Sequence, residues 1–474
     1  MNRTHVLLAA AALLALGAAV AGLPAPHAPH DPFFPKAPPA PQAAPAPGPA
    51  SPRFQRQEGA LGFEGQLSSA VLATGTGREA YALLTVRAER PAQERRVPVS
   101  LALVIDRSGS MRGQKLSDAR RAARMLVGRL GPQDRLAIVH YGTDVVTFPS
   151  EPVTEEARAR MLAFVAGIED EGQTNLSGGL EEGARALRPH LADFRANRLI
   201  LLSDGVPTVG TTHPGALAEL AVAYRREGMA VSGLGVGEDF NERLMRALAE
   251  QGGGFYGYLQ DSERLTEILQ REVDQAATTL ASGVELRLTL PEGVTDAQPL
   301  GVASRLEEGA RVIPLYDLAG GQQAQVLVKL TLALDATSKD RPMLHARLRY
   351  QDVEHERPVA LALDLEARAE PGAPDGRDSM DPEVALAVTR ALGAQQLQAA
   401  AEAMKQGDRG RALGLLDGAR NLFGASASAL SGEVAEVERT QAAYLNAHDE
   451  TSVKREALKL HNTSLRSFGQ SNSY

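Results

Sequence analysis

The chain contains no cysteine and no tryptophan, and aromatic residues make up only 4% of its 474 residues. The lack of cysteine excludes disulfide bonds, thiol catalysis, thiolate metal sites and lipid attachment through an N-terminal cysteine. The scarcity of aromatic residues means that the hydrophobic cores must be mostly aliphatic. A protein without disulfides can still be exported when each domain is large enough to bury a core of its own.

The chain also lacks a long basic segment, and its formal net charge is −8. Because proteins bind nucleic acid mainly through Lys and Arg contacts with phosphate, this balance argues against a nucleic-acid partner. Apolar residues make up 43% of the chain, which is ordinary for globular proteins. The length corresponds to about three domains of roughly 150 residues each.

The N-terminal residues have the pattern of an export signal, which we assign to residues 1–21. Arg3 and His5 precede an apolar stretch from Val6 to Val20, and Ala19-Val20-Ala21 matches a small-residue cleavage site. An uncleaved membrane anchor is the alternative, since residues 6–23 are at the short end of the length that spans a bilayer. Both interpretations predict an exported protein, either periplasmic or extracellular, or anchored through this segment.

Residues 22–58 are predicted to be a proline-rich linker. Twelve of the 28 prolines lie between Pro24 and Pro52, and such a composition favours an extended spacer over a packed domain. Residues 59–98 follow with two strand-like segments, at 66–73 and 79–89, which we expect to contribute to a β-sandwich.

Residues 99–281 alternate between short apolar runs and segments of helical length. The apolar runs, each long enough for one buried strand, are Leu101–Ile105, Leu136–Val139, Leu199–Leu202 and Met229–Val236. The segments of helical length between and after them are Gln114–Leu130, Thr154–Ile168, Leu176–Leu191, Pro214–Glu227, Phe240–Gln251 and Asp261–Leu280. This alternation predicts an α/β fold, with a doubly wound, mostly parallel sheet covered by helices on both faces.

The hydrophobic period changes to two after this region, and residues 282–370 are predicted to form an antiparallel β-sandwich. In the first of four such segments, Val284, Leu286 and Leu288 alternate with polar residues. The strands of residues 59–98 would complete the sandwich, so the α/β unit would be an insertion in it. A linker is predicted at residues 371–380, a helical region at 381–465 with Asp381 as its N-cap, and a tail at 466–474.

Two of the predicted parallel strands end in carboxylates, at Asp106 and Asp204. Ligands of open parallel sheets bind beyond the carboxyl ends of the strands. Ser108 and Ser110 follow Asp106, and in an extended loop a spacing of two places both hydroxyls on one side. One such aspartate could merely cap a helix. Two of them with two hydroxyls indicate an oxygen-only site suited to Mg²⁺, Mn²⁺ or Ca²⁺.

Three segments, "DRSGSM", "GQTNLSGGL" and "LLSDGVPT", resemble the metal-ion-dependent adhesion site of von Willebrand factor type A domains. The resemblance covers residues 99 to 280, and the flanking regions resemble bacterial exported proteins related to chloride-channel-like ones. It implies a metal-ligand set completed by water or by an acidic side chain of a protein partner. The implied ligands are Asp106, Ser108, Ser110, Thr174 and Asp204.

One position departs from the family pattern, because Gln173 stands where glycine is commoner before the threonine. It is not a ligand position, so the implied ligand set is complete. Gln173, Arg107 and Met111 are candidates for contacts between the rim of the site and a partner. Ordinary loop exposure or packing is the alternative interpretation for these three residues.

The leading hypothesis is a divalent-metal-dependent protein-binding module that is not an enzyme. A scaffold or regulatory subunit of a membrane-associated envelope complex, assembled without metal, is the alternative. A Mg²⁺-dependent hydrolase is disfavoured, since Ser108 occupies the position where phosphoryl-transfer phosphatases need a second carboxylate. The chain also lacks a Gly-x-Ser-x-Gly nucleophile elbow and a phosphate-binding loop. His140 could serve as a base for Ser108, but a histidine on a strand is more often structural.

Overall fold

The computed structural model describes residues 44–90, 96–204, 206–237, 240–259, 262–374 and 379–468. The predicted signal peptide, residues 1–21, and most of the predicted linker lie outside these residues. Within the described ranges the chain forms three β-sheets and two groups of helices.

The first strands form two antiparallel pairs and one short segment. They are β1 (Arg53–Glu58), β2 (Leu61–Leu67), β3 (Val71–Ala73) and β4 (Gly75–Ala88). β1 pairs with β2, and β2 with β4. The prediction of a linker up to residue 58 was therefore wrong at its end. Almost all of β1 is exposed, so its backbone pairing left no apolar pattern in the sequence.

The central sheet has six strands and confirms the predicted α/β architecture. Its strands are β5 (Val99–Asp106), β6 (Arg135–Tyr141), β7 (Val145–Pro152), β8 (Ala196–Ser203), β9 (Ala230–Val236) and β10 (Gly253–Leu259). Their order is β10-β9-β8-β5-β6-β7, parallel except for β7, which runs antiparallel to β6. The edge strands β7 and β10 were not predicted. Most residues of β7 are half-buried or exposed, and β10 begins with two glycines. Neither strand therefore has a continuous apolar run.

Helices cover both faces of this sheet. They are α1 (Gln114–Arg129), α2 (Glu155–Ala166), α3 (Leu176–Leu187), α4 (Pro214–Arg226), α5 (Glu242–Gly252) and α6 (Ser262–Ala277). Alternate residues of β5 belong to different cores: Leu101 and Leu103 face the core built with α1 and α6, whereas Ala102 and Val104 face the core built with α3, α4 and α5. Burial on both faces explains why the predicted strands are apolar without interruption.

Helix α3 approaches the sheet closely because Gly183 has no side chain. A Cβ atom at this position would lie 2.6 Å from Leu199 Cδ2 and 2.8 Å from a methyl group of Val104. We expect Gly183→Ala to lower the free energy of unfolding by about 1–3 kcal/mol, because the extra methyl group overpacks the core. Gly128→Ala on α1 is the matched control, since no atom lies within 4 Å of its added Cβ. The control should be neutral or stabilising by up to about 1 kcal/mol in chemical denaturation; equal effects of the two variants would contradict the prediction.

The remaining strands follow α6 and complete two further sheets. They are β11 (Thr279–Thr289), β12 (Val294–Pro299), β13 (Arg305–Glu307), β14 (Ala310–Pro314), β15 (Leu318–Ala319), β16 (Gln323–Leu334), β17 (Lys339–Asp352) and β18 (Arg357–Glu370). One sheet has the order β1-β2-β4-β16-β12, and the other has the order β13-β14-β11-β17-β18-β3, with β15 paired to β11. The two sheets share one hydrophobic core, to which Phe63 and Leu286 contribute from opposite sides.

The α/β unit is thus inserted in the chain between β4 and β11, and β4 pairs with the later strand β16 in one of these sheets. The expectation of purely antiparallel pairing needs one correction. β3 pairs with β18 in parallel, at Val71 to Ala73 against Arg368 to Glu370. The pair is only three residues long, so a hydrophobic pattern could not reveal its direction.

Four helices form the C-terminal region: α7 (Pro382–Lys405), α8 (Arg409–Gly424), α9 (Ala427–Asn446) and α10 (Glu450–Ser467). The carboxylate of Asp381 accepts hydrogen bonds from the backbone N–H groups of Glu383 at 2.9 Å and Val384 at 3.2 Å, as its N-cap prediction requires. α10 extends into the predicted tail. It also inserts Leu458 and Leu465 into the core beneath α3, α4 and α5. Within the described ranges, none of the helices is both long and apolar enough to span a bilayer.

Candidate metal centre

The candidate site lies where β5 and β8 end side by side. These strands are parallel neighbours, with Ile105 opposite Leu202. Asp106 therefore ends β5 beside Ser203, and Asp204 follows in the chain. Both aspartates are buried, so their carboxylates are largely removed from water at one edge of the sheet.

Asp106 is held by two hydrogen bonds. Its Oδ1 accepts from the backbone N–H of Ser108 at 2.8 Å, and its Oδ2 accepts from Ser203 Oγ at 2.7 Å. Burial raises the pKa of the Asp106 carboxyl, the bonds from Ser108 and Ser203 oppose this, and the nearby charge of Asp204 adds to the rise. A nearby cation would favour the charged form of the buried Asp106 carboxyl.

Ser108 and Ser110 join the same network. Their hydroxyl oxygens are 3.1 Å apart, and Ser110 Oγ donates to Asp204 Oδ1 at 2.7 Å. The expectation of an extended loop was wrong, since Gly109–Met111 forms one turn of 3₁₀-helix after Ser108. The hydroxyls meet because this tight turn folds Ser110 back toward Ser108, not because alternate residues share a side.

Thr174 lies on the neighbouring loop before α3. Its N–H donates to Thr208 Oγ1 at 3.0 Å, and its carbonyl accepts from the N–H groups of Thr208 and Val209 at 3.0 and 3.3 Å. Gly109 N–H donates to the carbonyl of Gly172 at 3.2 Å, which ties this loop to the serine turn. Within the described residues no hydrogen bond joins the Thr174 hydroxyl to the four other predicted ligands. The structure unites Asp106, Ser108, Ser110 and Asp204, and places Thr174 in an adjoining loop.

Sequence reasoning missed Lys115, whose ammonium group forms an ion pair with Asp204 Oδ2. Lys115 is in the first turn of α1, 89 positions before its partner. A Cβ atom on Gly237 would lie 2.6 Å from Lys115 Cε, so the aliphatic part of the lysine occupies the space left by that glycine. The sequence contains no local signal for this contact beyond a lysine in a first helical turn.

The three predicted rim residues have different surroundings. Met111 is fully buried in the core between β5 and α1, so the prediction that it contacts a partner was wrong. The Arg107 side chain is only 9% exposed and pairs with Glu171 at 2.8 Å. Gln173 is exposed, as a rim residue must be. Val206 was missed, although it follows the site closely in sequence and is 57% exposed.

His140 does not have the surroundings of a catalytic base. Its ring packs against that of Phe164, with 5.2 Å between the ring centroids. Burial lowers the pKa of His140 to about 4, and the charge of Arg107 acts in the same direction. Among the described residues, no hydrogen bond links His140 to Ser108.

The donor set of the site consists of oxygen atoms alone. Across the described ranges, no group of three or more His, Asp or Glu side chains is arranged to hold a metal ion, and this site offers two carboxylates with neighbouring hydroxyls. Such ligands fit Mg²⁺, Mn²⁺ or Ca²⁺, because these hard cations prefer oxygen and accept water in the remaining positions.

The sequence of this part of the chain is similar to that of known proteins. The family model of the von Willebrand factor type A (VWA) domain matches residues 100–271. Residues 100–271 form a VWA domain. VWA domains generally serve adhesion and protein–protein interaction, and most are not enzymes. The match contains β5, except for its first residue, and all of β6 to β10, including both strand ends that carry the aspartates.

The VWA domain of this chain has relatives in several kinds of protein. The uncharacterized protein YfbK of Escherichia coli is 28% identical over 262 residues, which are 53% of this chain and 45% of that protein. The inter-alpha-trypsin inhibitor heavy chain H3 of Rattus norvegicus is 30% identical over 40% of this chain and 22% of its own. The chain thus spans less than half the length of both relatives.

A solved structure shares the wider fold. The von Willebrand factor type A protein from Catenulispora acidiphila superposes with a TM-score of 0.66, covering 87% of this chain and 98% of its own at 19% sequence identity. At this identity the likeness concerns the fold alone. It includes parts of the chain outside the VWA domain, because the match is much longer than residues 100–271.

Proposed function

We propose that the VWA domain binds a divalent cation, Mg²⁺ or in its place Mn²⁺ or Ca²⁺, and uses it to capture a protein. Asp106, Ser108, Ser110, Thr174 and Asp204 would hold the ion. An Asp or Glu side chain of the partner would complete the coordination. The observation that carries this proposal is the network of hydrogen bonds that joins Asp106, Ser108, Ser110 and Asp204 across the ends of two adjacent strands.

The chemistry of the donor set supports an acidic partner. Two carboxylates neutralise a divalent ion formally, and the hydroxyls add no charge, so the bound ion can still attract an anionic ligand. Ser110 and Gln173 are exposed beside the buried carboxylates, which leaves the site accessible from outside. Val206 adds an apolar surface at its edge, suited to an apolar residue beside the partner's carboxylate.

The proposal extends to the setting of the protein. We propose export, on the pattern of residues 1–21, and a role in recognition at the cell envelope without catalysis or channel activity of its own. Turnover of phosphate or acyl esters that is lost in Ser108→Ala would overturn the non-enzymatic assignment.

We expect Asp106→Asn to weaken Mn²⁺ binding by at least about a hundredfold, because changing residues that merely orient metal ligands already costs about 10–100-fold. Electron paramagnetic resonance can count free Mn²⁺ in a titration of the purified chain. Asp144→Asn is the matched control. Asp144 is an exposed carboxylate that follows β6 near the same edge of the sheet, and its substitution removes the same charge. Equal affinities of the two variants would contradict the proposed ligand set.

Capture from the native envelope fraction tests the function itself. The wild-type chain should retain a partner in Mg²⁺ and release it in EDTA, and Asp106→Asn should fail to retain it under either condition. A partner that stays bound in EDTA and binds Asp106→Asn equally well would instead favour a scaffold assembled without metal.

A further inference from the structure

Lys115 contacts the candidate metal centre, although it is not one of the five predicted ligands. Its ammonium group pairs with Asp204 Oδ2, while Asp204 Oδ1 accepts from Ser110 Oγ at 2.7 Å. The two oxygens of one carboxylate thus have separate partners. The Asp204 side chain is 0% exposed and that of Lys115 is 31% exposed, so the lysine lies between the buried carboxylate and solvent.

Neighbouring backbone segments determine the position of the Lys115 side chain. The lysine follows Gly113, whose φ of +81° allows the chain to turn from the serine loop into α1. Its aliphatic part passes over Gly237, where a Cβ atom would come within 2.6 Å of Lys115 Cε. Gly113 before α1 therefore permits the backbone turn, and Gly237 after β9 leaves room for the lysine side chain.

The other cations near the site are paired with carboxylates outside it. Arg107 pairs with Glu171 at 2.8 Å, and Arg112 pairs with Asp170 at 2.8 Å. Among the residues that the structure describes, Lys115 is the basic side chain that forms an ion pair with a predicted ligand. Its charge therefore adds to the charge of the site itself.

We infer that Lys115 sets the charge of the metal centre for an anionic partner. By holding Asp204 Oδ2, it leaves Oδ1 as the oxygen that faces the serine hydroxyls. Two carboxylates, a divalent cation and the ammonium group sum to a formal charge of about +1. This inference rests on the proposed function and deepens it, because it explains why the loaded site would select a carboxylate over a neutral ligand.

The inference predicts opposite changes in two affinities. Lys115→Met removes a cation beside the metal, so the variant should bind Mn²⁺ about tenfold more tightly. The same loss of positive charge should weaken the binding of acetate to the Mn²⁺-loaded chain by about tenfold. A general loss of structure would weaken both, so the opposite signs distinguish a charge-setting role from a merely structural one.

The experiment uses the full chain, with Mn²⁺ affinity measured by electron paramagnetic resonance and acetate binding by the relaxation rate of water protons, which falls when acetate displaces bound water. Lys115→Arg should retain values closer to wild type, because it keeps the charge. Lys115→Gln is the second variant if Lys115→Met does not fold. Arg124→Met, an exposed residue of α1, removes the same charge from the same helix and should change neither affinity.

Each outcome separates this inference from the function on which it rests. Equal Mn²⁺ and acetate affinities in wild type and Lys115→Met would overturn the inference and leave the proposed metal site standing. Weakening of both affinities in Lys115→Met and Lys115→Gln alike would also overturn the charge-setting role. Failure of every chain, wild type included, to bind Mn²⁺ would overturn the proposed function and the inference with it.

Discussion

Replacing Arg198 with methionine is expected to lower the free energy of unfolding by about 3–5 kcal/mol. The Arg198 side chain is 4% exposed and pairs with Glu272, which is 1% exposed, at 2.5 Å. Asp317 approaches the same guanidinium group at 3.7 Å. The variant would leave Glu272 buried without its main counter-charge, and the cost of an uncompensated buried carboxylate is large.

This ion pair also joins three parts of the fold. Arg198 is on β8, Glu272 is on α6, and Asp317 precedes β15 in the β domain. Burial raises the pKa of the Asp317 carboxyl, and the charge of Arg198 opposes that rise. The loss of Arg198 should therefore loosen the junction of the VWA domain with the β domain, as well as the α6 packing.

Chemical denaturation of matched variants measures the effect. Arg188→Met breaks an ion pair whose side chains are 45% and 37% exposed, and it should cost no more than about 1 kcal/mol. The double variant Arg198→Met with Glu272→Leu should recover most of the lost stability, because Glu272 is then no longer a buried charge without its counter-charge. A cost for Arg198→Met as small as that for Arg188→Met would show that the buried pair does not stabilise this junction.

Acidification should selectively weaken the contact between the C-terminal helices and the VWA domain. Glu242, at the start of α5, pairs with Lys405 of α7 and lies 2.8 Å from His461 Nε2 of α10. Arg243 lies 3.7 Å from Glu402 at the same junction. Burial by itself would raise the pKa of Glu242, but the charges and hydrogen bonds of His461 and Lys405 outweigh it and hold the pKa at about 2.

The sign of the pH effect follows from this lowered pKa. In the unfolded chain Glu242 titrates near its ordinary value of 4.5, so its contribution to stability is complete above that pH. It is lost as the pH falls from about 4.5 through about 2. The full contribution is roughly 3 kcal/mol at about 1.4 kcal/mol per pKa unit.

Comparing wild type with Glu242→Gln separates the contribution of Glu242 to stability from the contributions of the other carboxylates. The stability difference between wild type and Glu242→Gln should be largest above pH 5 and should shrink steadily toward pH 2. The protection of the α10 amides against hydrogen exchange, corrected for the intrinsic pH dependence of the exchange rate, should fall over the same range. Glu356→Gln, at an exposed ion pair with Arg195, should show no such trend. A wild-type advantage over Glu242→Gln that is the same at pH 7 and pH 3 would refute the assignment.

The candidate site could be predicted from the sequence where its residues lie close together in the chain or at the end of a clearly apolar strand. Asp106, Ser108 and Ser110 lie within five residues, and Asp204 directly follows a strand whose apolar run is as distinct as that of β5. The burial of Met111 and the 3₁₀ turn beside it could not be predicted. They depend on how α1 packs against the sheet, and a loop sequence does not encode which side chain turns inward.

The sequence alone determined the alternation of strands and helices in residues 99–281, since burial on both faces of a sheet demands uninterrupted apolar runs. It also determined the cap at Asp381 and the edge of the sheet at which Asp106 and Asp204 meet. Only the tertiary structure decided that Lys115 pairs with Asp204, that Arg198 and Glu272 connect β8 to α6, and that α10 completes a core of the VWA domain. These contacts join residues 74 positions apart or more. No local pattern specifies them, because their partners are chosen by the packing of whole elements.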